Sequence, residues 1–499
     1  MRILKSSVLM LCLVLVACQN KIDFTPVSEP TLPTFQVSNG FPKIVPDWDI
    51  LDKENQYLTH AHFTQNDGVV VPISVYQIVG TQENKWDIRL VGVNPTKPIS
   101  NADVLVRAFR RQSLSMLAIQ QDECMESIST DASYHSVTVA MKCFRPNDGH
   151  FNQLGAFWGT EFAEDIDVDT VRRNLKLNRK IQSVTGSDIN LVFQQHLLGK
   201  KHPYLQVVQN RVFFENLNLE KLKKLHAQTS SMLEWHLLLK APSQLSEAEL
   251  LAIAKQVTAN MDVKTRSVVQ HDVNLTSPKP PKTIYFIDAP NSSNIMVRVG
   301  LRFPQYFHKG RAVSPKDEDW LNQQQSLYAC NTLSGILGRG SYGRLFYDLR
   351  ETRGLTYGAY AYCRNQELLR AMVLWGSASK EHSGAFLEGM LRHISLLKSE
   401  APQQAEVDAI KLYFLGQDLI SKDQDDGMGT LQLLESSSHS AKLERLGWLK
   451  RATSGSIHAL SKQFLSSTPI VVVRGDADVI LDDIRQKLPG WKIKEVKGE

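Results

Sequence analysis

Along the chain the apolar positions recur with two periods, and the places where one period gives way to the other mark the elements. Leu345, Phe346 and Leu349 fall on one helical face, with Arg344, Asp348 and Arg350 or Glu351 off it. Just before them, Gly338 and Gly340 permit backbone angles that a side chain forbids, and mark a tight lead-in to that helix. Gly354 stops it. From Tyr357 the period becomes two, with Tyr357, Ala359 and Ala361 on one side of a strand and Tyr360 and Tyr362 on the other. The order glycine turn, helix, glycine stop, strand sets Arg350 at the end of one element and Tyr357 at the start of the next. The two can reach one point in space.

The same patterns divide the chain in two. Between Asn274 and Lys282 the run NLTSPKPPK can neither continue a helix nor supply a central strand, so it reads as a linker. Beyond it come a strand from Thr283 to Ile287, a turn at Pro290-Asn291, an alternating strand from Ile295 to Leu301 and a helix from Trp320 to Ile336. The ends of the halves also agree. A helix from Leu217 to His226, an apolar strand from Trp235 to Leu239 and a helix from Ser246 to Val257 are matched by Ile457 to Phe464, Ile470 to Val473 and Asp476 to Leu488. Such a correspondence is an internal duplication, one unit on each side of the linker.

Composition and the first residues add a location. Arg2 and Lys5 precede an apolar run from Val8 to Ala17, which suits an export signal and is too short to span a membrane as a mature helix. The ending Leu15-Val16-Ala17-Cys18 resembles a bacterial lipobox, which implies acylation of Cys18 and, with Gln19 next, sorting to the periplasmic face of the outer membrane. The reading is therefore a signal over 1–18, a polar proline-bearing tether over 19–46, an N-terminal domain over 47–273, a linker over 274–282 and a C-terminal domain over 283–499. A chain of 499 residues is too long for one core. Its net charge of +5, with acids and bases interspersed, gives no case for nucleic acid. Cys124, Cys143, Cys330 and Cys363 form no CxxC pair. In an exported protein Cys124 with Cys143, and Cys330 with Cys363, suit disulfides; buried free thiols suit the sequence equally.

Taken together, Leu337-Gly338, Arg344-Leu345-Phe346, Leu349-Arg350-Glu351 and Arg353-Gly354-Leu355-Thr356-Tyr357 resemble the second-domain signature of the insulinase/pitrilysin (inverzincin) family of metallopeptidases. His202-Pro203-Tyr204 resembles a first-domain segment of the same family, with His202 read as a turn residue rather than a ligand. The resemblance implies an α+β protein of two related domains joined by a linker, each a sheet with helices on one face. It also implies that Arg350 and Tyr357 hold substrate and stabilise the transition state, with Gly338, Gly340 and Arg344 in substrate binding.

The family's zinc site needs His-x-x-Glu-His on a helix of the first domain and a glutamate from a later one, because two imidazoles one turn apart face one ion. None of the 14 histidines has that spacing. At the expected places stand Ser100 to Gln112, SNADVLVRAFRRQ, and the basic run Val171 to Ser183, VRRNLKLNRKIQS. No metal is therefore expected on this chain. In the family some enzymes split the work between two chains, and the sequence fits the one without zinc. It would be inactive alone, lending Arg350 and Tyr357 to a zinc-bearing partner that cleaves peptides. The other reading is a lipid-anchored, non-catalytic peptide-binding or scaffold protein of the same fold. No G-x-S-x-G elbow points to a serine hydrolase.

Overall fold

The computed structural model describes residues 56–64, 70–79, 84–117, 124, 127–159, 166–199, 201–208, 216–259, 261, 281–308, 311–313, 316–340, 343–423 and 439–497. The export signal, Cys18, the tether and the proline-bearing stretch as far as residue 280 lie outside the described residues.

Two six-stranded mixed sheets organise the protein. The first runs in the order β1-β2-β6-β3-β5-β4, from β1 (Gln56–Thr64), β2 (Val70–Val79), β3 (Lys85–Val93), β4 (Ser129–Ala132), β5 (Ser136–Phe144) and β6 (Glu234–Ala241). The second runs β11-β12-β8-β13-β7-β14, from β7 (Thr283–Asp288), β8 (Asn294–Arg302), β11 (Thr356–Gln366), β12 (Leu369–Ser379), β13 (Ile470–Gly475) and β14 (Lys492–Glu495). A small hairpin of β9 (Phe307–His308) and β10 (Arg311–Ala312) stands apart. In chain order β2-β3-helix-β4-β5-helices-β6 repeats as β7-β8-helix-β11-β12-helices-β13, with β2 parallel to β6 as β7 is to β13. Only the sixth place differs: β1 pairs antiparallel to β2, whereas β14 pairs parallel to β7. The duplication expected from the helix-strand-helix endings is thus a duplication of topology, and both halves are α+β, as the resemblance implies.

In the first half the helices are α1 (Ala102–Leu117), α2 (Asp148–Gly159), α3 (Val168–Val184), α4 (Asp188–Leu198), α5 (Pro203–Val208), α6 (Leu219–Ser230) and α7 (Glu247–Thr258). The start of α7 is fixed by a capping box, in which Ser246 and Glu249 satisfy each other's backbone N–H. In the second half they are α8 (Trp320–Gly338), α9 (Arg344–Phe346), α10 (Ser383–Ser399), α11 (Gln404–Asp423), α12 (His439–Lys450), α13 (Ser454–Phe464) and α14 (Ala477–Lys487). Among the described residues no helix is long and apolar enough to cross a membrane.

Each sheet buries one face against its own helices. Ile88, Leu90, Val139 and Leu237 meet Val104, Leu105 and Leu250 in the first core, and Val297, Val299, Ala359 and Leu374 meet Leu333, Leu337, Phe386 and Met390 in the second. Complete burial of such a side chain is worth about 1.5–3 kcal/mol. Helices on one face only is not the whole arrangement, however. The opposite face of the second sheet carries α4 from the first half, with Ile189, Val192, Phe193 and Leu197 on Ile287, Val373, Ile470 and Val472. Gly300 makes room for it: a Cβ there would sit 2.6 Å from a Phe193 ring carbon. Both cysteine pairs are disulfides, Cys124–Cys143 within the first half and Cys330–Cys363 joining α8 to β11.

Candidate functional site

The glycine-to-tyrosine stretch builds the site in a way the simple periodicity missed. Gly338 closes α8, buried where a Cβ would lie 2.4 Å from the Ala361 nitrogen, so the helix end can touch β11 only because the residue is glycine. Gly340 turns the chain with φ of 74°. The helix then begins at Arg344 and widens into π-helical turns over Tyr347–Thr352, with the Arg353 N–H reaching the Asp348 carbonyl at 3.0 Å. Gly354, at φ of 63°, ends it, as expected.

The polar face of this segment is not a solvated face. Asp348, at 2% exposure, accepts from Arg353 Nε at 2.9 Å and from His393 Nε2 at 2.8 Å. Arg344 is buried too, its guanidinium bidentate on Glu406 at 2.6 and 2.8 Å, and Glu406 also accepts the Gln403 N–H. Gly338 and Arg344 therefore touch their own protein, while Arg350 turns outward. Its side chain is 42% exposed, its guanidinium carbon lies 4.5 Å from the Phe346 ring centroid, and it forms an ion pair with exposed Glu351 at 3.3 Å.

Tyr357 stands out further. Thr356 faces Ala378 and Gly358 faces Ser377, so Tyr357 is the extra residue of a β-bulge and does not share a side with Ala359 and Ala361. The two alanines enter the core and Tyr357 is 92% exposed. Its hydroxyl has no hydrogen-bond partner among the described residues. The Gly354 N–H on the Arg350 carbonyl at 3.0 Å and the Leu355 N–H on the Leu349 carbonyl at 2.8 Å tie the end of the π turns to the start of the strand. The arginine and the tyrosine are thus both exposed, on two elements that these backbone bonds join.

Sequence reasoning did not find the bonds by which the first half holds the other end of the β11-β12 hairpin, at the turn away from Tyr357. His202 is not a free turn residue: it is 4% exposed, its Nε2–H donates to the Leu368 carbonyl at 2.9 Å, and its Nδ1 accepts the Tyr204 N–H. The Tyr204 hydroxyl accepts the Leu368 N–H at 2.9 Å and donates to His135 Nε2 at 3.0 Å, whose Nδ1–H goes to the Asn94 carbonyl. Both polar groups of Leu368, in the turn between β11 and β12, are therefore held by the His-Pro-Tyr segment. Burial pushes both imidazoles down to about 4, against the bond to Leu368 in one case and to Asn94 in the other, so they work as neutral tautomers.

The place where the resemblance puts zinc is filled differently. On α1, Val104, Leu105, Ala108 and Phe109 are buried, and α3, packed against it, turns Val171 and Leu175 into the same core. Nearby His226 is committed to the Trp158 carbonyl at 2.7 Å. Among the described residues no three His, Cys, Asp or Glu side chains come together in a metal-holding group. Apolar side chains offer no lone pairs, so these residues do not fit a zinc ion.

Residues 243–413 match the family Peptidase M16, inactive domain. Among solved structures, the chain is similar to a peptidase M16 inactive domain from Pseudomonas fluorescens, with TM-score 0.64 and 18% identity over 84% of this chain and 98% of that one. It is similar to a protease from Helicobacter pylori, with TM-score 0.64 and 13% identity over 84% of this chain and all 100% of the other. It is also similar to the periplasmic protease PqqL from Escherichia coli, with TM-score 0.58 and 12% identity over 85% of this chain and 47% of that one. These likenesses establish a fold of two M16-like domains. No curated protein matches the sequence.

Proposed function

We propose that the chain is the non-zinc-binding subunit of a two-chain M16-type peptidase, and that Arg350 and Tyr357 act on peptide bound against a zinc-bearing partner. The observation that carries this is the contrast between its two halves. Apolar residues fill α1 where ligands would stand, whereas Tyr357 is pushed out at 92% exposure by a bulge with no internal role for its hydroxyl. A phenol so placed is a hydrogen-bond donor for an oxygen that gains charge during attack on a carbonyl, and a preorganised donor of this kind is worth about a hundredfold or more in rate. Arg350, held by exposed Glu351 and the Phe346 ring, can swing its planar fork onto a peptide carbonyl or carboxylate. Substrate then bridges the two chains.

The lipobox-like Cys18 and the proline-bearing tether favour a lipid anchor at the periplasmic face of the outer membrane, beside an exported partner. The test is to purify the native protein gently, identify what accompanies it and assay peptide cleavage by the pure chain and by the complex. A co-purifying chain with His-x-x-Glu-His and cleavage by the complex alone are expected. A complex without such a chain, inert toward peptides, sinks the proposal in favour of the scaffold reading.

A further inference from the structure

The face of the second sheet opposite its own helices is only part-covered. Helix α4 lies on β8 and β13, with Phe193 and Leu197 over Gly300 and His196 stacked on Tyr285 of β7 at 3.5 Å. That leaves β11 and the part of β12 at Trp375, since Ala371 and Val373 are buried in the cluster with α4. The register there sets Tyr360 opposite Trp375 and Trp375 opposite Arg298, a row straight across three strands, with Tyr362 one step further along β11.

Tyr360, Trp375 and Arg298 are in contact in turn, with Tyr360 and Arg298 half-buried. Tyr360 and Trp375 have ring centroids 4.8 Å apart, and the Arg298 guanidinium carbon is 5.8 Å from the Trp375 centroid. Trp375 and Tyr362 are each 39% exposed. The row continues to the site already described. Tyr360 lies down over Gly358, where a Cβ would meet its ring and hydroxyl at 2.5 Å, and reaches Phe346, 6.0 Å away, on which Arg350 rests. Arg350, Phe346, Tyr360, Trp375 and Arg298 thus form one continuous run of guanidinium groups and rings. Its ends are Arg350 at one rim and α4 at the other.

Arg298 adds a sign. Its Nε donates to Asn190 of α4 and its Nη1 to the Val297 carbonyl, both at 2.9 Å, so it is held in place by neutral acceptors. Among the described residues no carboxylate forms an ion pair with it. An exposed aromatic shelf next to an uncompensated cation is complementary to an aromatic side chain with a carboxylate beside it.

We propose that Tyr360, Tyr362, Trp375 and Arg298 form a specificity shelf that binds an aromatic residue followed by an acidic residue of a peptide passing Tyr357. This rests on the reading that peptide lies against Arg350 and Tyr357, and it names which peptides are preferred. The aromatic side chain stacks on Trp375 and Tyr362, and the carboxylate turns toward Arg298. Because α4 fixes Arg298 through Asn190, both halves of the chain contribute to the selection.

The test uses the full chain and a fluorescein-labelled peptide carrying a Phe-Glu pair, with Ala-Glu and Phe-Gln versions, read by fluorescence anisotropy. Wild type is expected to prefer Phe-Glu over either version by about three- to tenfold. Trp375→Ala and, independently, Tyr362→Ala should erase the preference for Phe, Trp375→Phe should keep it, and Arg298→Gln should erase the preference for Glu over Gln. Circular dichroism and the melting temperature identify a variant that has not folded, and Tyr362→Ala then decides. Equal binding of all three peptides by wild type, no binding of any, or unchanged discrimination in the Ala variants overturns the shelf. Arg350→Ala and Tyr357→Phe are the separate control: they should slow turnover by the complex alike for all three peptides. If they do nothing while the Trp375 effect holds, the catalytic reading fails and the shelf stands.

Discussion

Arg344 and Arg350 belong to one short motif, and sequence periodicity set both off the apolar face, yet their surroundings are opposite. Arg344 is buried against Glu406, a residue far along the chain that no local pattern could connect to it. Arg350 faces water. Arg344→Ala strands the Glu406 carboxylate, so denaturant unfolding should show a loss of about 3–5 kcal/mol. Arg350→Ala removes an exposed pair with Glu351 and an exposed contact with the Phe346 ring, and the same measurement should show about 1 kcal/mol or less. If the two variants lost equal stability, the division between frame and presented group would be wrong. Gly338→Ala belongs with Arg344: its methyl would press on the Ala361 backbone, which cannot move without β11, so Tyr357 should be displaced along with stability.

The elements around Tyr357 were legible in kind and wrong in detail. Helix, glycine stop and strand all followed from period and breakers, but a strict period of two sets Tyr357 with the buried alanines. One inserted residue reverses its side, and bulges leave no mark in an alternation of alanine and tyrosine. The π turns are equally silent, because they depend on Asp348 finding Arg353 and His393. The turn between β11 and β12 carries part of the pH dependence. His202 and His135 are held at about 4, below the ordinary 6.5, so the unfolded chain binds more protons between those values. Their contribution is complete above about pH 6.5 and is lost as pH falls toward 4, at about 1.4 kcal/mol per unit and per histidine. Hydrogen exchange at Leu368 should accelerate over that range. Tyr204→Phe, which leaves the Leu368 N–H unpaired, should cost about 1–3 kcal/mol at neutral pH and speed the same exchange.

At the scale of the molecule the duplication could be read from the sequence because topology repeats an order of elements, and order survives when residues diverge. The crossing of α4 onto the second sheet could not. Ile189, Val192, Phe193 and Leu197 make an ordinary apolar helix face, and nothing in that pattern says which sheet it will cover. The sequence lacks the His-x-x-Glu-His spacing, and Val104, Leu105 and Ala108 of α1 extend the core. The isolated chain should therefore bind zinc at far below one ion per chain in metal analysis, and chelator should not change its melting temperature.

The central claim is that Tyr357 works on a transition state assembled with another chain. The measurement that tests it most directly is kcat and KM for peptide cleavage by the complex, comparing wild type with Tyr357→Phe. The account predicts kcat lower on the order of a hundredfold, with KM and the ratio of the two chains unchanged. Turnover equal to wild type, or cleavage by this chain alone, would contradict it.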